Sequence, residues 1–152
     1  MRKIIILLII LLVSACGVYD EENKKEVVSE VNEVEYTKEF YLIETANDVR
    51  EIRSLHDKLI VHLAKDEEPV NVAITFMDMS ITASDQSYKL PGTESMEFDL
   101  IKDDLKGVQS FVDEKYKVFS EQKELDRLAL NEAITKLESL IDKLETDFES
   151  VK

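Results

Sequence analysis

The stretch of sequence that decides the fold is LNEAITKLESLIDKLETDFESV, which runs from Leu130 to Val151. Its apolar residues alternate at spacings of four and three, at Leu130, Ile134, Leu137, Ile141, Leu144, Phe148 and Val151. This spacing places them on one face of an α-helix. Such a helix needs other helices to cover its apolar face, and these can belong to the same chain or to a second copy in a dimer.

A second apolar run precedes this one and is out of phase with it. Its members are Phe98, Ile101, Leu105, Val108, Val112 and Phe119, and its continuation would put Gln122, Asp126 and Lys136 on the apolar face. One helix over 94–151 would be about 87 Å long, whereas the helix predicted before it, from Pro69 to about Lys89, spans only about 31 Å. We therefore predict a break near Ser120. Gly107 marks a second possible break, or a close contact between helices.

Two more helical stripes lie nearer the N-terminus. Val49, Ile52, Leu55, Leu59, Ile60 and Leu63 predict a helix that ends near Lys65, before Pro69. We place its start at Asp48, because Thr45-Ala46-Asn47-Asp48 interrupts the pattern and Asp48 with Glu51 has the spacing of a capping box. Before it, Val27, Val31, Val34, Tyr41 and Leu42 indicate a further helix or a stalk over Lys25–Glu44.

The segment 70–82 is compatible with two structures. Its helical stripe comprises Val70, Ile74, Met77, Ile81 and, further on, Tyr88, whereas Val70, Val72, Ile74 and Phe76 alternate as in a strand. We favour the helix, because a strand needs a partner and only Val34 to Leu42 could supply one. The polar stretch from Asp85 to Thr93 contains the turn Leu90-Pro91-Gly92, and we expect it to be an exposed contact loop.

Together these patterns predict an all-α protein, an antiparallel bundle of about four helices in a single domain over 26–152. With 3 Gly and 2 Pro in 152 residues, the chain has too few turn residues for a β-sandwich or barrel. Its 33 acidic and 19 basic residues give a formal net charge of −14. This balance argues against nucleic acid as a partner, because phosphate contacts require Lys and Arg.

The N-terminus has the pattern of a secretory signal peptide over residues 1–15. Arg2 and Lys3 precede ten apolar residues, Ile4 to Val13, and small residues follow. Val13-Ser14-Ala15-Cys16 resembles the lipobox of bacterial lipoproteins, although Val stands where Leu is more usual. The resemblance implies cleavage between Ala15 and Cys16, with a diacylglyceryl group on the sulfur of Cys16 and an acyl group on its new amino terminus. Residues 16–25 would then tether the domain to the extracytoplasmic side of the cell membrane.

We find no residue pattern with the spacing of a catalytic, cofactor or metal site. His56 and His62 lie six positions apart, about 240° around a helix, so they cannot share one metal from that helix. We expect His56 at the edge of the apolar stripe and His62 paired with Asp66 on the surface. No Gly-rich phosphate loop is present, and Lys residues are interspersed among the acidic side chains as on a solvated surface.

These observations favour a membrane-anchored, non-enzymatic interaction protein with an unidentified protein partner. Two alternatives are a binding module for an envelope component or a small ligand, and an immunity or exclusion lipoprotein. An enzyme would require buried carboxylates with shifted pKa values facing a pocket.

Overall fold

A computed structural model describes residues 37–91 and 98–152, which form four helices and contain no strand. We number them α1 (Lys38–Lys65), α2 (Pro69–Lys89), α3 (Asp99–Ser120) and α4 (Arg127–Val151). Each helix packs against its neighbours in the chain, and α4 also packs against α1, which closes an antiparallel four-helix bundle. The predicted all-α fold is confirmed, and 70–82 is helical. None of the described helices is both long and apolar enough to cross a membrane.

Helix α4 confirms the prediction made from its apolar spacing. The Asp126 carboxylate caps its first turn by accepting a hydrogen bond from the Ala129 N–H at 3.0 Å. The face from Leu130 to Phe148 is buried inside the bundle, and Val151 is half-buried. Other helices of the same chain therefore cover this face.

The predicted break near Ser120 is also confirmed, since α3 ends at that residue. Gln122 and Asp126 lie in the connection to α4, so neither interrupts an apolar face. Gly107 does not break α3. A Cβ atom added to it would meet no atom within 4 Å, so it does not mark a close helix contact either.

The predicted helix start at Asp48 is wrong, because α1 runs without interruption from Lys38 to Lys65. The buried Thr45 hydroxyl donates to the Tyr41 carbonyl at 2.7 Å, and the Gln86 amide of α2 lies 2.7 Å from the same hydroxyl. These contacts satisfy the hydrogen-bonding capacity of the Thr45 hydroxyl inside the helix. The polar run from Thr45 to Asp48 therefore does not interrupt the helix. The observed cap is Thr37, which accepts from the Phe40 N–H at 3.3 Å.

The expected contact loop at 85–93 is also wrong in part, because α2 continues to Lys89 and buries Gln86 and Ser87. The core lies between all four helices. Its largest fully buried side chains include Phe76 of α2 and Phe119 of α3, whose rings stack with centroids 5.5 Å apart. This stack determines which side of α2 faces inward.

Several predictions fall on residues 1–36 and 92–97, which lie outside the described residues. They are the signal peptide, the cleavage site after Ala15, the lipidation site at Cys16, the tether, and most of the proposed helix or stalk over 25–44.

Candidate interaction surface

Helix α2 carries an exposed apolar face on the outside of the bundle. This face, which we call the outer stripe, consists of Val70, Ile74, Met77, Ile81 and Tyr88. Their exposed fractions range from 37% to 86%. They are the same residues that mark the helical stripe in the sequence, so the helix was predicted but the exposure of this face was not.

A second apolar set on α2 explains the difference. Val72, Phe76, Met79 and Ala83 have the same spacing as the outer stripe, displaced by two residues, and they face the core. Two positions correspond to about 200° around a helix, so the two sets lie on nearly opposite sides. The same displacement produces the strand-like alternation over 70–76. A helix with two apolar sets on opposite sides can bury only one of them in its own bundle. The presence of both sets in the sequence could therefore have predicted an exposed apolar face.

Charged side chains flank the outer stripe on both edges. Asp78, Asp85 and Lys89 lie along the edge of α2 that is turned away from α3. On the opposite edge, the Ser80 hydroxyl donates to the Asp113 carboxylate of α3 at 2.5 Å, and the Lys102 ammonium donates to the Pro91 carbonyl at 2.9 Å. These two contacts show which face of α3 borders α2.

Two exposed lysines occupy that same face of α3. Lys106 follows Lys102 by four residues, and Lys117 follows Asp113 by four, so all four side chains share one side of the helix. Lys106 also lies 3.5 Å from Asp103. The outer stripe thus has charged side chains of both signs along each edge.

An arginine of α1 binds three carboxylates of α4 on another side of the bundle. The Arg53 guanidinium donates to Glu145 at 2.9 and 2.8 Å, to Glu138 at 2.9 Å and to Asp142 at 2.6 Å. The hydrogen bonds to Glu145, with those to Asp142, raise the pKa of Arg53 above its ordinary value. We name this group the Arg53 cluster. It joins α1 to α4, and its carboxylates serve as hydrogen-bond acceptors for the arginine.

The carboxyl of Asp104 is the described group closest to what an enzyme would require. Its side chain is 9% exposed, and burial raises its pKa. Lys143 of α4, however, donates to Asp104 and, at 2.9 Å, to Asp147. The hydrogen bond from Lys143 lowers the pKa of Asp147. This group therefore has the character of an ion pair that joins α3 to α4.

Both histidines are buried, which corrects the expected position of His62. His56 Nε2 lies 3.1 Å from Glu138 Oε2 and 3.3 Å from the Ile134 carbonyl. His62 does not pair with Asp66, whose carboxylate instead accepts from Arg127 at 2.8 Å. Within 37–91 and 98–152, no group of three or more His, Cys, Asp or Glu side chains could hold a metal ion.

The contacts of His62 fix its neutral form. The Thr75 hydroxyl donates to the Asn71 carbonyl at 3.0 Å, so it accepts from the Nε2–H of His62, also at 3.0 Å. The other ring nitrogen, Nδ1, is buried with no hydrogen-bond partner. A second proton would place a buried N–H there without an acceptor. Burial accordingly lowers the pKa of His62.

This arrangement predicts that His62 makes the bundle less stable in mild acid. The unfolded chain binds a proton near the ordinary histidine pKa of about 6.5, whereas the folded chain resists protonation until lower pH. The contribution of neutral His62 to the free energy of unfolding is therefore intact above about pH 7. It is lost as the pH falls through about 6.5 towards the lower pKa of His62 in the folded chain. We expect His62→Gln to reduce the loss of unfolding free energy between pH 7.5 and 5.5, measured by urea titration. An equal loss in both proteins would contradict the assignment.

No protein-family model, curated protein or solved structure matches this chain.

Proposed function

We propose that this protein is a small lipoprotein, anchored through Cys16 on the extracytoplasmic side of the cell membrane, that acts by binding another protein rather than by catalysis. The outer stripe of α2 is its contact surface. The lipid would confine this surface to a thin layer near the membrane and so raise its effective concentration for a neighbouring protein.

The anchoring part of the proposal rests on the residue pattern at the N-terminus. Cys16 is the only cysteine, and it directly follows the small residues that end the apolar leader. Removal of residues 1–15 takes away two basic and no acidic side chains and leaves a net charge of −16. Because such a chain is repelled by anionic lipid headgroups, a covalent lipid is the physical means of holding it at the membrane.

The observation that carries the binding function is the outer stripe. A strongly acidic chain leaves five large apolar side chains exposed along one helix, at the spacing with which helices pack. Contiguous exposed apolar surface of this kind marks sites of protein contact. The Arg53 cluster and the Asp104–Lys143 pair, by contrast, engage their charged groups in contacts between helices.

Replacement of Cys16 tests the anchor. We expect Cys16→Ser to move the protein from the membrane fraction to the soluble or secreted fraction, because two or three acyl chains hold a protein at a membrane almost permanently. Gly17→Ala, next to the four-residue motif, is the control and should stay in the membrane fraction. Mass spectrometry of the native protein should find an acylated Cys16 at the amino terminus. An intact Met1, or an unacylated amino end, would overturn the anchor.

A further inference from the structure

We propose that Asp48 of α1 and Gln86 of α2 form a proton-operated switch between the two helices, in which the Gln86 amide turns over when the Asp48 carboxyl gains or loses a proton. The switch depends neither on the outer stripe nor on the anchor of the proposed function. On the extracytoplasmic side of a membrane, it would respond to the pH of the surrounding medium.

The Gln86 amide lies between two oxygen atoms of α1. Gln86 and Thr45 are fully buried, and Asp48 beside them is half-buried. One end of the amide lies 2.6 Å from Asp48 Oδ2, and the other end lies 2.7 Å from Thr45 Oγ1. Because a hydroxyl can donate or accept, and a carboxyl can hold a proton or lose it, the amide can be satisfied in either of two orientations.

In the first orientation Asp48 is protonated. Its Oδ2–H donates to Gln86 Oε1 at 2.6 Å, and the Gln86 Nε2–H donates to the Thr45 hydroxyl at 2.7 Å. This hydroxyl in turn donates to the Tyr41 carbonyl at 2.7 Å, so each polar atom in the series has a partner. A separation of 2.6 Å is usual for an O–H···O hydrogen bond, at about 2.5–3.0 Å, and short for N–H···O, at about 2.7–3.2 Å.

In the second orientation Asp48 is ionised and the amide is reversed. Gln86 Nε2–H then donates to Asp48 Oδ2, and Gln86 Oε1 accepts from the Thr45 hydroxyl at 2.7 Å and from the Thr45 backbone N–H at 3.3 Å. The hydroxyl has one hydrogen, so it no longer donates to the Tyr41 carbonyl. The direction of donation along Asp48, Gln86 and Thr45 is therefore reversed, while the contact between α1 and α2 is kept in both forms.

The surroundings of Asp48 favour the uptake of the proton. Burial is the main cause that raises the pKa of its carboxyl above the ordinary value. Lys89 of α2 opposes this effect, whereas Glu44 and Glu51 of α1 and Asp85 of α2 add to it. The folded chain therefore binds this proton at a higher pH than the unfolded chain does, and ionised Asp48 lowers the free energy of unfolding at neutral pH.

Nuclear magnetic resonance of the full-length chain in detergent micelles tests the switch. Between pH 7.5 and 3.5, the Asp48 carboxyl should titrate with a midpoint above the ordinary aspartate value of about 3.9. Over the same transition, the nuclear Overhauser contacts of the Gln86 NH2 protons should pass from the Asp48 side chain at high pH to the Thr45 side chain at low pH. Contacts that stay with one residue throughout, or an Asp48 midpoint at or below the ordinary value, would overturn the proposal.

A matched pair of variants identifies the group that operates the switch. Asp48→Asn and Glu51→Gln each replace a carboxylate of α1 by an amide of nearly the same size, and Glu51 is exposed. In Asp48→Asn the contacts of the Gln86 amide should no longer change with pH. In Glu51→Gln they should still change, at a lower pH, because the charge of Glu51 raises the pKa of Asp48. A Gln86 transition that persists in Asp48→Asn would contradict the assignment.

The same variant has an effect of defined sign on stability. Asp48→Asn should raise the urea midpoint of unfolding at pH 7.5, because it removes a half-buried charge and can still donate to Gln86. The difference from the unaltered chain should shrink as the pH falls through the folded pKa of Asp48 towards about 3.9, since protonation then removes the same charge. His62 is present in both proteins, so its opposite dependence on pH cancels in the comparison. A lower midpoint for Asp48→Asn at pH 7.5 would show that the ionised form is the stabilising one, against the proposal.

Discussion

Phe76→Ala lowers the free energy of unfolding by about 3–5 kcal/mol, the usual cost of deleting a buried phenylalanine ring. Phe76 is fully buried and stacks on Phe119 of α3, with the two rings inclined by 14°. The substitution removes both this contact and the surrounding packing, and leaves a cavity between α2 and α3. Equilibrium urea unfolding followed by circular dichroism measures the change.

The outer stripe supplies the control for this prediction. Ile74 precedes Phe76 by two residues and is 42% exposed, so Ile74→Ala should cost far less than Phe76→Ala. If Ile74→Ala were the more damaging change, α2 would be rotated so that the outer stripe faces inward. That result would also remove the basis of the proposed contact surface.

Arg50→Pro should destabilise the bundle by about 3 kcal/mol or more, because a proline inside a helix removes one hydrogen bond and clashes with the preceding turn. Arg50 is exposed and lies in the thirteenth position of α1, far from its first turn. If a helix instead began at Asp48, residue 50 would lie in the first turn, where proline is tolerated. The substitution therefore distinguishes one long helix from the two segments that the polar run suggests.

Arg50→Ala is the matched control. It removes the same side chain and its 3.3 Å hydrogen bond to Asn47, but it preserves the backbone hydrogen bond of residue 50. We expect a change within about 0.5 kcal/mol, as for other exposed positions. Equal effects of Pro and Ala, both small, would show that α1 is interrupted near residue 48.

The helices that could be predicted from the sequence are those with a single apolar face. In α3 and α4 each apolar run has one phase, and the change of phase between Phe119 and Leu130 coincides with the break. Apolar period and helix length were sufficient there, because no contact between distant residues was needed to interpret them.

The start of α1 could not be predicted, because it depends on α2. Thr45 is compatible with a helix interior here because its hydroxyl finds the Tyr41 carbonyl and the Gln86 amide, and Gln86 lies 41 residues away. Asp48, the supposed cap, belongs to the same contact region, and burial raises the pKa of its carboxyl. The local sequence shows that these residues are polar, but it does not show the hydrogen-bond partners that α2 supplies.

The sequence predicted the residues of the candidate surface but not its exposure. The spacing identified every residue of the outer stripe, but the direction in which it faces depends on the stacking of Phe76 on Phe119. The charged residues of α3 beside it could be identified only from the register of α3 against α2, which the contact between Ser80 and Asp113 fixes. For the same reason the Asp104–Lys143 pair, 39 residues apart in sequence, had no local signal.

The Arg53 cluster has a consequence for the order in which the bundle assembles. The contacts between successive helices join nearby parts of the chain and so form at little entropic cost, whereas Arg53 and Glu145 are 92 residues apart. We therefore expect docking of α4 onto α1, which closes the longest loop in the bundle, to limit the rate of folding, and we expect attraction between opposite charges to accelerate it. Screening of the cluster by salt should slow stopped-flow refolding, so that added salt slows the refolding of the unaltered chain more than that of Arg53→Met.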